Sequence, residues 1–230
     1  MTHEENGNHV AHPIFIKSET DEAIHERTAR IMREFTAGFE LIRNYPRTVS
    51  FFGSSRFTET NEHYKHARTL AARIVKDLDY AVITGGGGGI MEAANRGALE
   101  AGGQSIGLNI RLPKEQTKNA YTTDGMEFAY FFTRKVALSF AAEGYIFFPG
   151  GYGTLDELFE LLALIQTRKI RKIPIILIGK DYWEELHDFI RRNIYRNHQA
   201  IDEKDMELYT ITDDDNEVVE IIKKVPVKPR

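Results

Sequence analysis

Two glycine-rich segments are the residues whose types and spacing most directly suggest chemistry. The first holds five consecutive glycines, Gly85 to Gly89, between the apolar run AVIT and a helix-forming run that starts at Ile90. Glycine costs more backbone entropy to order than any other residue, and a turn needs only one or two of them. Five therefore indicate close approach of the main chain to a ligand, with free N–H groups at a helix N-terminus aimed at an anion. A tight turn with close helix–sheet packing is the structural alternative.

Two common nucleotide motifs do not fit this first segment. Ile90 and Met91 stand where the third glycine of G-x-G-x-x-G would have to be. The Lys-Ser/Thr pair of a P-loop is also missing. Both the NAD-binding and the ATPase interpretations are therefore weakened.

The second glycine-rich segment, PGGYGT, covers residues 149–154 between the apolar run YIFF and the helical run LDELFELL. Thr154 is predicted to cap that helix. Asp156 and Glu157 lie in or beside the predicted first turn, where acidic groups complement the helix dipole, so capping is the structural alternative for both. Since parallel α/β sheets bind ligands at the carboxyl ends of their strands, both segments are expected to line one pocket for a phosphate monoester.

Two cations stand between the glycine segments. Arg134 and Lys135 occupy the predicted start of the helix that precedes YIFF, among apolar neighbours. Cations at a helix N-terminus oppose its dipole, which costs at least a few tenths of a kcal/mol (roughly 0.3–1) unless something offsets it. An anionic ligand or a partner carboxylate would offset that cost; an exposed, solvated pair is the alternative.

Short apolar runs alternate with amphipathic stretches along the chain, a pattern typical of βαβ units. The predicted strands are Thr48–Phe52, Tyr80–Thr84, Ser105–Ile110, Gly144–Phe148 and Ile173–Ile178, with another favoured in the first half of Glu127–Phe132. The predicted helices cover about residues 18–43, 61–78, 90–101, 132–142, 154–168 and 182–196, and a short one follows the acidic stretch Asp213–Asp215. We therefore expect an α/β fold with a mostly parallel sheet and helices on both faces.

Composition excludes several classes of protein. The 230 residues are 42% hydrophobic and 28% charged, with a formal net charge of −4, which argues against disorder and against binding nucleic acid through phosphate neutralisation. There is no cysteine, so disulfides, cysteine metal sites and thiol nucleophiles are excluded. No metal site is expected, because His63 and His66 lack an evident third ligand and are interpreted as surface residues.

The same composition gives an expectation for organisation and location. Residues 1–17 are predicted to be a flexible arm, 18–225 a single nucleotide-binding domain with an N-terminal helix, and 226–230 a frayed tail. No apolar run reaches the roughly 18 residues that cross a bilayer, and the N-terminus does not resemble a signal peptide. We expect a cytoplasmic protein that binds no membrane.

The two glycine segments and the TRK element, in this order and spacing, resemble the LONELY GUY (LOG) family of cytokinin riboside 5′-monophosphate phosphoribohydrolases, whose bacterial relatives are often mislabelled lysine decarboxylases. The resemblance covers about residues 47–195, and the N-terminal helix and extended C-terminus look like the longer bacterial branch. It implies a Rossmann-like three-layer α/β sandwich, a homodimer or higher homo-oligomer, and a nucleotide site near the subunit interface. No cofactor is expected.

The resemblance implies a role for each matching residue. Arg134 and Glu157 correspond to the catalytic pair. The implied phosphate- and nucleotide-binding residues are Gly53, Ser54, Ser55, Gly86, Gly87, Gly88, Gly89, Met91, Glu92, Lys135, Gly150, Gly151, Tyr152, Gly153 and Thr154. Asp156-Glu157 replaces the family's frequent Glu-Glu, which keeps the catalytic glutamate. Gly89-Ile90-Met91-Glu92 departs from the plant-type GLMG, so base specificity should not be copied from the plant enzymes.

These residues support hydrolysis of the N-glycosidic bond of a purine nucleoside 5′-monophosphate, with or without an N6 substituent. Glu157 would stabilise positive charge on the ribose and take a proton from water, and Arg134 would keep that carboxylate ionised. Pocket walls for the base would come from residues such as Met126, Phe128, Phe131 or Phe132.

Three other functions compete with hydrolysis. The first is a non-catalytic carrier of a nucleotide or phosphorylated cofactor, as in molybdenum-cofactor carriers. Single-strand DNA binding accords badly with the acidic charge. Lysine decarboxylation is rejected because no lysine has the surroundings of a pyridoxal phosphate site.

Overall fold

The computed structural model describes residues 20–111 and 118–226. Its strands are β1 Thr48–Phe52, β2 Ala81–Thr84, β3 Ser105–Ile110, β4 Asp124–Phe128, β5 Gly144–Phe147, β6 Ile175–Leu177 and β7 Thr210–Ile211. Its α-helices are α1 Asp21–Arg43, α2 Glu62–Leu78, α3 Ile90–Glu100, α4 Phe131–Ser139, α5 Tyr152–Gln166, α6 Lys180–Phe189 and α7 Asp215–Lys223. The expected arm, residues 1–17, and all but the first residue of the expected tail lie outside the described residues.

The strands form one parallel sheet in the order β4-β3-β2-β1-β5-β6-β7. Every pairing between neighbouring strands in the described residues is parallel, which confirms the expected Rossmann-like α/β class. Strand order runs outward from β1 in one direction and from β5 in the other. The chain therefore reverses its direction of winding between β1 and β5, where sheets of this kind open a crevice for ligands.

The central strands of the sheet are buried on both faces. All residues of β1 and β5 are buried, the polar Thr48 and Ser50 among them, as is typical of the central strands of a parallel sheet. Helices α2, α3 and α7 pack with one hydrophobic core, which contains Val49 and Ile146. Helices α4, α5 and α6 pack with a second core on the other face, around Phe147 and Trp183.

Most predicted elements are confirmed, with differences at their ends. The strand predicted at Ile173–Ile178 begins only at Ile175, because Pro174 has no N–H to give to the ladder. The strand favoured within Glu127–Phe132 is β4, which starts at Asp124 and ends at Phe128. The helix predicted at 182–196 is α6 followed by a π-helical segment, Ile190–Asn197.

Helix α1 lies against β4 and α4 at one edge of the molecule. A Cβ on Gly38 would lie 3.1 Å from the ring of Phe128, so the helix backbone approaches the strand closely. The rings of Phe39 and Phe140, one from α1 and one just after α4, meet edge to face at 6.3 Å. Across the part of the chain that the structure describes, no helix is long and apolar enough to cross a membrane.

Candidate active site

Three loops meet at the carboxyl ends of β1, β2 and β5. The Ser54 amide donates to the carbonyl of Pro149 at 2.9 Å, and the Ile90 amide donates to the carbonyl of Ser54 at 3.0 Å. The loop after β1 is therefore hydrogen-bonded to both glycine-rich segments. This brings the predicted residues Ser54, Gly89 and Gly150 together at the point where the winding of the sheet reverses.

Close packing explains several glycines of the first segment. Gly86 and Gly89 have φ of 69° and 67°, a region that residues with a Cβ rarely adopt. A Cβ on Gly89 would collide with the Ser54 carbonyl, and one on Gly85 would collide with the Arg134 guanidinium. Gly85, Gly86 and Gly89 are therefore explained by a tight turn with close packing, the structural alternative to ligand binding. The N-terminus of α3 nevertheless has no side-chain cap, so it can still attract an anion.

A buried polar network holds the first segment in place, and sequence reasoning missed it. Asn119 Nδ2 donates to the carbonyl of Gly87 at 3.0 Å and to Asn95 Oδ1 at 2.9 Å. Thr84 Oγ1 donates to the same Asn95 oxygen at 2.6 Å, and Asn109 Nδ2 donates to the carbonyl of Gly86 at 3.0 Å. The sequence signal that could have indicated this network is Asn95, a polar residue on the otherwise apolar face of α3.

The second segment starts its helix earlier than predicted. Helix α5 begins at Tyr152 with Gly151 as N-cap, and no side chain caps it. The prediction that Thr154 caps this helix is therefore wrong: Thr154 lies within the first turn, where a Cβ on Gly150 would collide with its hydroxyl. Capping is also wrong as the explanation for Asp156 and Glu157, because both lie beyond the first turn.

Space is open in front of this helix N-terminus. A Cβ on Gly151 or on Gly153 would meet nothing within 4 Å, and neither residue has a positive φ. The Thr154 side chain is 7% exposed, yet its hydroxyl has no hydrogen-bond partner among the described residues. The first N–H groups of any helix lack partners within it, so several donors face one open space.

Glu157 lies on the same face of α5 as Gly153, since residues four apart on a helix are neighbours and side chains lean toward the N-terminus. Its side chain is 7% exposed. Burial raises the pKa of Glu157 from 4.5 to about 7, although the nearby positive charge of Arg134 lowers it. The expectation that Arg134 keeps this carboxylate ionised is thus only partly met, because desolvation outweighs the cation.

Arg134 reaches the site from α4. Its Nε donates to the carbonyl of Leu108 in β3 at 2.6 Å, and its guanidinium lies over Gly85. Burial lowers its pKa and the charge of Glu157 raises it again. A guanidinium stays charged in proteins, so a fixed cation lies against the first glycine segment and acts electrostatically on Glu157.

Three other predicted binding residues have protein partners or lie exposed. Lys135 Nζ lies 2.8 Å from Asp156 and 3.3 Å from Glu160, so it pairs with carboxylates of α5. Glu92 accepts a hydrogen bond from the Tyr64 hydroxyl at 2.8 Å. Tyr152 is 93% exposed at the start of α5.

The aromatic residues considered as base-pocket walls are separated by the fold. Phe128 is fully buried in the hydrophobic core, so it cannot contact a ligand. Phe131 and Phe132 are exposed at the start of α4.

His63 and His66 were expected to be surface residues, and both lie at the surface but are partly covered by neighbouring side chains. Both are half-buried: the His63 ring stacks on Phe57 at 5.7 Å, and His66 Nε2 lies 2.6 Å from Asp215. No group of three or more His, Asp or Glu side chains within the described ranges could hold a metal ion.

Comparison with known proteins identifies relatives that belong to one family. A family model described as possible lysine decarboxylase matches residues 91–222. The cytokinin riboside 5′-monophosphate phosphoribohydrolase LOG5 of Arabidopsis thaliana is 32% identical over 160 residues, 67% of this chain and 68% of that protein. The probable cytokinin riboside 5′-monophosphate phosphoribohydrolase LOGL5 of Oryza sativa subsp. japonica is 28% identical over 158 residues, 66% of this chain and 61% of that protein. The chain thus spans 61 to 68% of the length of these two relatives.

Solved structures agree on the fold. The molybdenum cofactor binding protein from Rippkaea orientalis is 22% identical and superposes with a TM-score of 0.58, over 78% of this chain and 96% of that one. At this identity the likeness concerns the fold alone. The family model covers more than half of the chain and the LOG relatives align with it, so the chain belongs to the LOG family, whose model is described as possible lysine decarboxylase.

Proposed function

We propose that this protein is a hydrolase that cleaves the N-glycosidic bond of purine nucleoside 5′-monophosphates, releasing the free base and ribose 5-phosphate. AMP and its N6-substituted, cytokinin-type derivatives are the proposed substrates. The LOG relatives are named as phosphoribohydrolases of cytokinin riboside 5′-monophosphates, which supports this substrate class.

The observation that carries the proposal is the open space in front of α5. Gly151 and Gly153 have neither a packing reason nor a backbone reason to be glycine, so room for a ligand explains them best. An anion there would be held by free helix N–H groups, the helix dipole and the Thr154 hydroxyl. The 5′-phosphate of a nucleotide is the proposed anion.

The position of Glu157 fits the reacting end of such a nucleotide. Four residues along a helix advance roughly 6 Å, so Glu157 lies about one turn beyond the phosphate donors on the same face. A ribose held by its 5′-phosphate would present its anomeric carbon to this carboxylate. Binding energy from the phosphate thereby positions the sugar for reaction.

The chemistry follows from the two charged groups. As the bond between the anomeric carbon and the base nitrogen breaks, the base takes the bonding electrons and positive charge builds on the ribose. Ionised Glu157 stabilises that charge and accepts a proton from the water that attacks the anomeric carbon, and the departing base nitrogen takes up a proton from solvent. The positive charge of Arg134 lowers the pKa of Glu157 toward the working range.

The proposal extends to organisation. We propose that residues 18–225 act as one nucleotide-binding domain, since both hydrophobic cores lie against faces of the same sheet. We also propose a cytoplasmic homodimer. Aromatic side chains exposed on α4, α5 and the end of α1 support an interface between copies: Phe39, Phe131, Phe132 and Phe159 are 42%, 57%, 49% and 40% exposed. Light scattering on the purified protein measures the oligomeric state directly.

The test of function is base release. The purified protein would be incubated with AMP and with N6-isopentenyl-AMP, and free base followed by chromatography beside the variant Glu157→Gln. Hydrolysis predicts base release that the variant lacks, while the variant still binds the nucleotide. A wild-type protein that binds nucleotide and releases no base from either compound would instead favour a carrier.

A further inference from the structure

The N-terminus of α4, which carries Arg134, is held by a residue of α1. Glu34 Oε1 accepts a hydrogen bond from the Ala129 amide at 2.8 Å, and its Oε2 accepts from the Thr133 hydroxyl at 2.6 Å. The Tyr130 amide donates to the same Oε2 at 3.4 Å. One carboxylate thus fixes both the approach to the helix and its first turn.

Helix α4 needs such a partner. Tyr130 stands at its N-cap and offers no side-chain cap, and the first turn contains no acidic residue. Arg134 and Lys135 follow directly, and their charges oppose the helix dipole. Glu34 supplies the negative charge that this N-terminus lacks, from a residue 95 positions or more away in sequence. The partner carboxylate required by two cations at a helix start is therefore present in the fold.

The contacts of Glu34 lead directly to Arg134. The Arg134 amide closes the first turn on the carbonyl of Tyr130 at 3.3 Å, and Thr133 shares its hydroxyl between that carbonyl and Glu34. The Arg134 side chain then reaches Leu108 and lies over Gly85. Because α1 is itself fixed where Gly38 meets Phe128, Glu34 is a rigid support.

We propose that Glu34 is a positioning residue for the hydrolysis reaction: its carboxylate fixes the first turn of α4 and thereby sets where the Arg134 guanidinium lies relative to Glu157. Through Glu34 alone, helix α1 then influences the active site without contacting the nucleotide. This inference rests on the proposed roles of Arg134 and Glu157.

The kinetic test compares Glu34→Ala and the milder Glu34→Gln with Glu40→Gln, which removes the same charge from an exposed position of α1. We expect Glu34→Ala to lower kcat at least tenfold with KM changed less than about threefold, since small displacements of catalytic groups cost up to about a hundredfold. The kcat of Glu34→Gln should lie between that of Glu34→Ala and that of the wild type. In an Arg134→Ala background the Glu34 substitution should have no further effect on kcat.

A second readout does not depend on turnover. The groups that face Glu157 are Arg134, Lys135, Asp156 and Glu160, and of these Arg134 lowers the pKa of Glu157 most. If Glu34→Ala or Glu34→Gln displaces Arg134, the Glu157 carboxyl should titrate at higher pH, as followed by carboxyl NMR of the folded variant. If the wild type releases no base but the Glu34 variants still raise the pKa of Glu157, the proposed hydrolysis is overturned while the role of Glu34 in positioning Arg134 stands.

The comparison with Glu40→Gln decides whether Glu34 positions Arg134 or only stabilises the fold. If the folded Glu34 variants match Glu40→Gln both in kcat and in the titration of Glu157, Glu34 only stabilises the fold. If the Glu34 variants have a lower melting temperature but an unchanged kcat and an unchanged Glu157 titration, Glu34 likewise only stabilises the fold.

Discussion

At the scale of the residue, the glycines of the site divide into two groups with different physical reasons. Gly86 and Gly89 need a positive φ, and Gly53 and Gly85 leave room for Ile90 and Arg134. Gly151 and Gly153 have open space instead. Substitutions in the first group should destabilise the protein, whereas those in the second group should act on ligand binding.

Gly153→Ala separates stability from function most sharply. Alanine fits the helical backbone and meets no atom, so the free energy of unfolding should rise by about 0.4–1 kcal/mol. Its methyl group would occupy the proposed phosphate site, and nucleotide affinity should fall at least tenfold. Calorimetry with AMP and thermal unfolding of the same sample measure both. Unchanged affinity would show that the phosphate lies elsewhere.

The raised pKa of Glu157 predicts a pH dependence of catalysis. The proposed base acts only when ionised, and burial raises its pKa to about 7 in the free protein. We therefore expect kcat/KM to decrease about tenfold per pH unit below this value, with a plateau above it, since this parameter reports the free enzyme. A rate profile that is flat between about pH 5 and pH 8 would show that Glu157 is not the base.

At the scale of the element, α3 is placed by one close helix contact. A Cβ on Gly97 would collide with the backbone carbonyl of Arg68 in α2, so these helices pack backbone to backbone. Helix α3 begins directly after the first glycine segment, and its Asn95 belongs to the polar network beneath that segment. The separation of α2 and α3 therefore also affects the site.

Gly97→Ala should force these two helices apart. Overpacking of this kind costs roughly 1–3 kcal/mol, and a backbone atom cannot rotate away as a flexible side chain can. We expect the midpoint of urea unfolding to fall accordingly. Gly153→Ala is the matched control, because it makes the same change in a helix without any contact. Equal midpoints for the two variants would contradict the close packing.

At this scale, local sequence patterns predicted the bounds of some elements and missed contacts between residues far apart in the chain. The bounds predicted for β1 and β3 are confirmed to the residue, because strands buried on both faces are rich in apolar residues. The helix start at Tyr152 was missed, since a glycine N-cap leaves no side-chain signal. The contacts of Glu34 and Asn119 were missed because they join residues far apart in the chain, which local spacing does not encode.

At the scale of the whole molecule, the fold must bury a carboxylate to build the site. Glu157 faces the crevice where the sheet reverses its winding, and its folded-state pKa of about 7 exceeds its ordinary value of 4.5. The folded protein therefore binds more protons than the unfolded chain between these pH values. Stability from this group is fully present below about pH 4.5 and is lost as the pH rises through about 7.

Removing this ionisation should stabilise the protein at neutral and alkaline pH. In Glu157→Gln the amide stays neutral, so the variant avoids a cost that could reach on the order of 3 kcal/mol above pH 7. For a chain of this length each kcal/mol shifts the melting temperature by about 2–4 °C. We expect the difference in melting temperature between variant and wild type to be small near pH 5, to grow through pH 7 and to level off near pH 8. Exposed Glu40→Gln should show no such trend. A difference that stays constant with pH would mean that Glu157 is charged throughout this range, and the acid limb expected for catalysis would then have to move to lower pH with it.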